Sequence, residues 1–140
     1  MSRVFWDTNL FIYLFEGQQP LGPQVAALRG RMLQRGDQLV TSTMTLAEIL
    51  VKPTKEGNSK LLQEYQMTIP AVASLLSFDE KSAAIYALLR CDSALRPPDA
   101  IQLACAAAFG VDLFITNDAR LQRMHVRGIQ FIVPLDRAPI

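Results

Sequence analysis

Four carboxylates stand beside apolar runs at separate points of the chain: Asp7, Glu48, Asp99 and Asp118. Only 19% of the residues are charged, so acids placed next to sequence that folding will bury invite an explanation. Singly, each has a structural one. Asp7 and Asp118 suit the caps of helices that follow them, Asp99 suits the positive end of its helix, and Glu48 can close a capping box with Thr45. Together they point elsewhere. Two carboxylates about 4 Å apart repel by roughly 4 kcal/mol at an effective dielectric near 20, so in a shared pocket one takes up a proton unless a cation intervenes. Magnesium and manganese, which prefer oxygen ligands, relieve that repulsion. The chemistry open to such a set is metal-assisted phosphoryl transfer.

Other chemistries find little support. His125 is the only histidine and the two cysteines, Cys91 and Cys105, lack ligand spacing, so zinc fits poorly. His125 sits between Arg123 and Arg127 and reads as a surface residue. Both cysteines fall in helical patterns, and Cys105, among alanines, reads as a small buried thiol. There is no Gly-x-Ser-x-Gly elbow and no glycine-rich phosphate loop ending in Lys-Ser/Thr. Asp7-Thr8-Asn9 stands where a dinucleotide fingerprint would follow the first strand.

The elements that must position the four acids alternate between strand and helix. Arg3 to Trp6, Gln38 to Thr41, Leu75 to Phe78, Leu113 to Thr116 and Gln130 to Val133 are short apolar runs that read as strands. Between them, helical patterns cover Leu10 to Phe15, an amphipathic stretch from Val25 to Gly36, Thr45 to Val51 with Pro53 as its stop, and Ser59 to Ile69. Further on come the alanine-rich Lys81 to Leu95, Pro97 to Gly110, and Ala119 to Met124. Alternation of this kind calls for crossover connections, a mostly parallel sheet and helices on both faces. The strands are continuously apolar, as burial on both sides requires. The expectation is an α/β/α sandwich forming a single domain over 1–140, with ligands bound beyond the carboxyl ends of the strands.

Half of the 140 residues are hydrophobic and the formal net charge is +1, which describes a folded chain rather than a disordered or strongly basic one. Nucleic-acid phosphates would have to be held locally, and Arg29, Arg31, Arg35, Arg96, Arg120 and Arg123 are the candidates. The start of the chain has no signal-peptide layout, and the apolar run Ile101 to Phe109 is too short to span a bilayer. A cytoplasmic protein without a membrane segment is expected.

Phe5-Trp6-Asp7-Thr8-Asn9, Thr45-Leu46-Ala47-Glu48, Pro98-Asp99-Ala100 and Ile115-Thr116-Asn117-Asp118 resemble the ordered acidic motifs of PIN domains, in order and across nearly the whole chain. The likeness is to the toxins of VapBC-type toxin–antitoxin pairs. It implies a five-stranded parallel sheet of order 3-2-1-4-5, which would bring Asp7 and Asp118 together. It implies that Asp7, Glu48, Asp99 and Asp118 bind one or two Mg2+ or Mn2+ ions, with Asn9 and Thr116 as supporting polar residues. It also implies an endoribonuclease leaving 5′-phosphate and 3′-hydroxyl ends, a cognate antitoxin and a homodimer. Asp7 and Asp99 are the expected direct ligands. Glu48 and Asp118 act through waters, one of them accepting a proton from the attacking water.

Two other classes stay open. A non-catalytic PIN-like module would use the acidic groove to bind RNA or a protein. A phosphatase of another α/β fold would use Asp7 as nucleophile, although Asn9 stands where such enzymes carry a second aspartate. Leu10 to Phe15 and Leu61 to Ile69 are candidate interface stretches, the first equally explained by the core. Clustered like charges also predict that Asp7→Asn or Asp99→Asn stabilises the metal-free protein.

Overall fold

The computed structural model describes residues 1–92 and 94–140. The five apolar runs form strands β1 (Arg3–Trp6), β2 (Gln38–Ser42), β3 (Ser74–Leu76), β4 (Val111–Ile115) and β5 (Ile129–Val133). Seven α-helices are described between them: α1 (Thr8–Glu16), α2 (Leu21–Arg35), α3 (Thr43–Glu56), α4 (Ser59–Val72), α5 (Glu80–Leu89), α6 (Pro97–Phe109) and α7 (Ala119–Gln122). A 3-10 turn, Leu135–Arg137, follows β5. Every strand pairing is parallel and the order is β3-β2-β1-β4-β5, as the family resemblance implies. The register places Val4 beside Leu39 and Leu113, and Phe5 beside Val40 and Phe114.

Because side chains alternate along a strand, β1 feeds two cores. Val4 and Trp6 face one side, packed with Leu10 and Phe11 of α1, Val25, Leu28 and Met32 of α2, Ile49 of α3 and Ile69 of α4. Phe5 faces the other, against Leu103 and Ala106 of α6 and Leu121 beyond β4, and its ring stacks on Phe114 at 4.7 Å. Burying a large apolar side chain contributes on the order of 1.5–3 kcal/mol, so β1, with three fully buried residues out of four, is held from both faces. Leu10 and Phe11 are core residues, so core packing accounts for these two positions of the Leu10 to Phe15 stretch.

Element ends differ from the sequence expectation: β3 ends at Leu76 rather than Phe78, α1 and α2 begin earlier, at Thr8 and Leu21, and three helix ends fall elsewhere. Pro53 does not stop α3, which continues to Glu56. Proline removes one backbone donor, but here only the last turn lies beyond it, and the Thr54 hydroxyl donates to the Leu50 carbonyl at 2.6 Å. Pro70 is likewise inside α4, which reaches Val72. The helix expected over Lys81 to Leu95 ends at Leu89. Beyond it the Asp92 side chain accepts from the Ala94 N–H at 3.0 Å and the Arg90 guanidinium from α5's end donates to the Leu95 carbonyl at 2.6 Å. These local bonds offer the backbone an alternative to the helix. Cys91 is therefore exposed outside any helix, while Cys105 is buried, its thiol pushed up by desolvation. Ser93, within that expected helix, lies outside the described residues.

Candidate active site

Asp7 follows β1 and Asp118 closely follows β4, and these two strands are neighbours. Chain connections leave the β1–β4 boundary in opposite directions, so this is the crevice in which open parallel sheets bind ligands. Asp7 caps α1, accepting the Thr8 N–H on Oδ1 at 2.8 Å, and its Oδ2 accepts the Thr116 hydroxyl at 2.7 Å. The Thr116 oxygen in turn accepts the Asp118 N–H at 3.1 Å, so one threonine ties the two aspartates together. Asp118 caps α7.

Asp7 is 8% exposed. Burial, aided by the nearby charges of Asp99 and Glu48 and opposed by the bonds from Thr116 and Thr8, pushes its carboxyl up to about 6. Asp99 and Glu48 are thus near enough for Asp7 to feel their charge. Asp99 lies in the first turn of α6, opened by Pro97 and Pro98. Glu48 does not close a capping box: Ser42 caps α3, and Glu48 accepts the Thr8 hydroxyl on Oε1 at 2.7 Å.

Beneath the acids lies a buried polar layer that the sequence reading did not single out. Gln102, one turn after Asp99, donates from Nε2 to the hydroxyls of Thr8 at 3.1 Å and Thr45 at 2.7 Å, and its Oε1 accepts from Ser42. Thr41 lies 2.7 Å from Thr45 and reaches the Trp6 carbonyl at 2.9 Å. The available signal was a glutamine in an otherwise apolar helical stretch, three residues from a candidate ligand. Asn9, expected as a supporting residue, has a buried Oδ1 that meets no donor among the described residues.

The arginines divide. Arg120 bonds Asp118 through Nε at 3.1 Å and Nη2 at 2.6 Å, and lies 3.7 Å from Asp99, which also pairs with Arg96 at 3.3 Å. The Arg120 bonds hold the Asp118 carboxyl below the usual carboxylate range. Arg29, Arg31 and Arg35 are engaged elsewhere, on the carbonyls of Val72, Ile140 and Pro139. Arg123 and His125 are exposed. A depression of about 580 Å³ lies at the opposite, amino end of the strands, lined by Ser2, Arg3, Gln38 and Asp112, with none of the four acids in it.

A hard cation suits this donor set. It is made of carboxylate oxygens, and Asp7 receives two hydrogen bonds while no basic side chain pairs with it among the described residues. The fit is not ready-made: among the described residues no three potential ligands stand around one point at ligating distance. Arg120 pairs with Asp118 and Asp99 and Arg96 pairs with Asp99, so an ion at these acids would compete with both guanidinium groups.

The family model for the PIN domain matches residues 4–126. The chain belongs to the PIN domain family. The PIN fold is also that of several solved structures. A VapBC2 structure from Rickettsia felis bound to a promoter DNA fragment superposes with a TM-score of 0.70 at 15% identity, covering 94% of this chain and 97% of that one. DNA-bound VapBC from Salmonella typhimurium gives 0.69 at 19% identity, covering 96% and 99%. VapBC-5 from Mycobacterium tuberculosis, a member of the VapBC family of toxin–antitoxin systems, gives 0.59 at 24% identity, covering 95% and 99%. At these identities the likeness speaks for the PIN fold. No curated protein matches the chain by sequence.

Proposed function

We propose that this PIN domain, acting as one domain over 1–140, is a Mg2+- or Mn2+-dependent endoribonuclease and the toxin of a toxin–antitoxin pair. The observation that carries the reading is Asp7: a buried carboxylate at the β1–β4 crevice, pushed up by burial and by Asp99 and Glu48, with no basic partner among the described residues. Asp7 and Asp99 would hold the ion, with Glu48 and Asp118 beside it. When bound, the ion polarises the phosphodiester and makes a water more acidic.

The chain's own groups supply the rest. Thr116 and the Thr8 N–H fix the Asp7 carboxylate in one orientation. Thr8 holds Glu48 through Oε1, which leaves Oε2 to take the proton of the attacking water. Asp118 is the poorer base, since Arg120 holds its proton affinity down. Arg96 and Arg120, once off the carboxylates, can meet the phosphates of the substrate strand as charge-assisted donors.

Incubation of RNA with the purified protein tests this directly. Cleavage is expected with Mn2+ or Mg2+, none with a chelator, and a loss of at least about a hundredfold in Asp7→Asn and Asp99→Asn, in line with the worth of a catalytic electrostatic group. Cleavage unchanged in both variants would refute it. The ion pairs of Arg120 and Arg96 favour a second reading, a binding module whose acids never take a metal; tight RNA or protein binding without turnover would select it. The proposed partners are a cognate antitoxin and a second copy of the chain, and the proposed compartment is the cytoplasm. The toxin–antitoxin setting of the solved structures supports the antitoxin partner. Among the described residues no helix is long and apolar enough to cross a membrane.

A further inference from the structure

Gln102 is 2% exposed and touches three elements of the site at once. It sits on α6 with Asp99, bonds Thr8 at the start of α1 next to Asp7, and bonds Thr45 on α3 one turn before Glu48. A hydroxyl has one proton to give, and that rule fixes the direction of the layer. Thr41 gives its proton to the Trp6 carbonyl at 2.9 Å and Thr45 gives its own to Thr41 at 2.7 Å. Thr8 is left to donate to Glu48 at 2.7 Å rather than to Thr45 at 3.4 Å. This assignment holds only because Gln102 spends both amide protons on the lone pairs of Thr8 and Thr45 while Ser42 donates to its Oε1. A reversed amide would present an acceptor to the two threonines, draw the Thr8 proton inward and leave Glu48 without its donor.

We propose that Gln102 is a positioning residue: its amide ties α1, α3 and α6 together and points the Thr8 proton at Glu48, which fixes the orientation of one of the carboxylates that would take a hard cation. The proposal rests on the metal-dependent reading above. It goes beyond the four acids in assigning part of their geometry to a buried amide that reaches Glu48 through Thr8.

The test is the affinity for Mn2+ itself, read from the electron paramagnetic resonance of the free ion, on chains shown to be folded by circular dichroism. Gln102→Met keeps the length of the side chain and removes its hydrogen bonds; the Mn2+ dissociation constant is expected to rise about tenfold, with kcat falling more than KM rises. Thr8→Val is expected to reproduce that loss and Thr8→Ser to restore wild-type affinity, and this pair carries the test should Gln102→Met fold poorly. Gly128→Ala, at the turn into β5 and away from the four acids, serves as the structural control, lowering the melting temperature with Mn2+ affinity unchanged. Wild-type affinity in both Gln102→Met and Thr8→Val overturns the positioning role and leaves the metal-dependent reading standing. A wild-type chain that binds no Mn2+ removes that reading, and the role of Gln102 falls with it.

Discussion

Asp7 and Asp99, alike in sequence, differ in what surrounds them. The Asp7 carboxyl is raised from 3.8 to about 6 by burial first, so the folded chain binds this proton more tightly than the unfolded one. Its contribution to stability is fully present below about pH 4 and is lost as the pH rises through 6; the two values differ by enough to cost roughly 3 kcal/mol above that range. Metal-free Asp7→Asn is therefore expected to unfold at higher urea than wild type at pH 8, with the difference vanishing near pH 4. Asp99→Asn is expected to show no such gain. The like-charge argument drawn from the sequence treated the two alike, but Asp99 is paired with Arg96 and Arg120. Equal stabilisation by both substitutions would contradict this division. Which acids to suspect was legible in one dimension, because each stands beside an apolar run. Arg96 and Arg120 stand three and two residues from Asp99 and Asp118 and could have been singled out from the other arginines, whereas the contact of Arg120 with Asp99 comes only with the fold.

Elements were easier to locate than to terminate. Strand and helix periods follow from burial, which acts along a whole segment, whereas ends depend on single bonds such as Asp92 to Ala94 or Thr54 to Leu50. The turn into β5 depends on a bare backbone. Gly128 has φ +101, its carbonyl accepts the Val111 N–H at 3.0 Å, and a Cβ there would press into the Ala107 carbonyl of α6. Both the conformation and the contact exclude a side chain. Gly128→Ala is expected to destabilise the chain by about 2 kcal/mol or more, seen as a lower denaturant midpoint with the slope unchanged. A midpoint within error of wild type would show that β5 can shift away from α6 at little cost.

At the scale of the whole molecule, the two cores on either side of the sheet contain none of the four acids. With apolar burial on both faces of the sheet, folding is expected not to wait on a metal, unlike small domains that are unfolded without their ion. A chelator is expected to leave the far-ultraviolet dichroism unchanged. A ligand that binds only the folded chain at a hundred times its dissociation constant adds about 2.7 kcal/mol, so Mn2+ at that excess is expected to raise the melting temperature by roughly 5–10 °C. Loss of secondary structure on chelation would show that the ion belongs to the core. The parallel sheet was legible because alternating periods permit little else. The convergence of the acids came from the family likeness, since strand order is decided by contacts between segments distant in sequence.

Trp6 is the only tryptophan. It is 1% exposed and immediately precedes Asp7, and its indole N–H meets no acceptor among the described residues. The chain thus carries a built-in optical reporter at the crevice. Its emission should be blue-shifted in the native state and move to the red as the sheet opens. Paramagnetic Mn2+ seated at Asp7 should quench it where diamagnetic Mg2+ does not, so occupancy can be followed by light on the unlabelled protein.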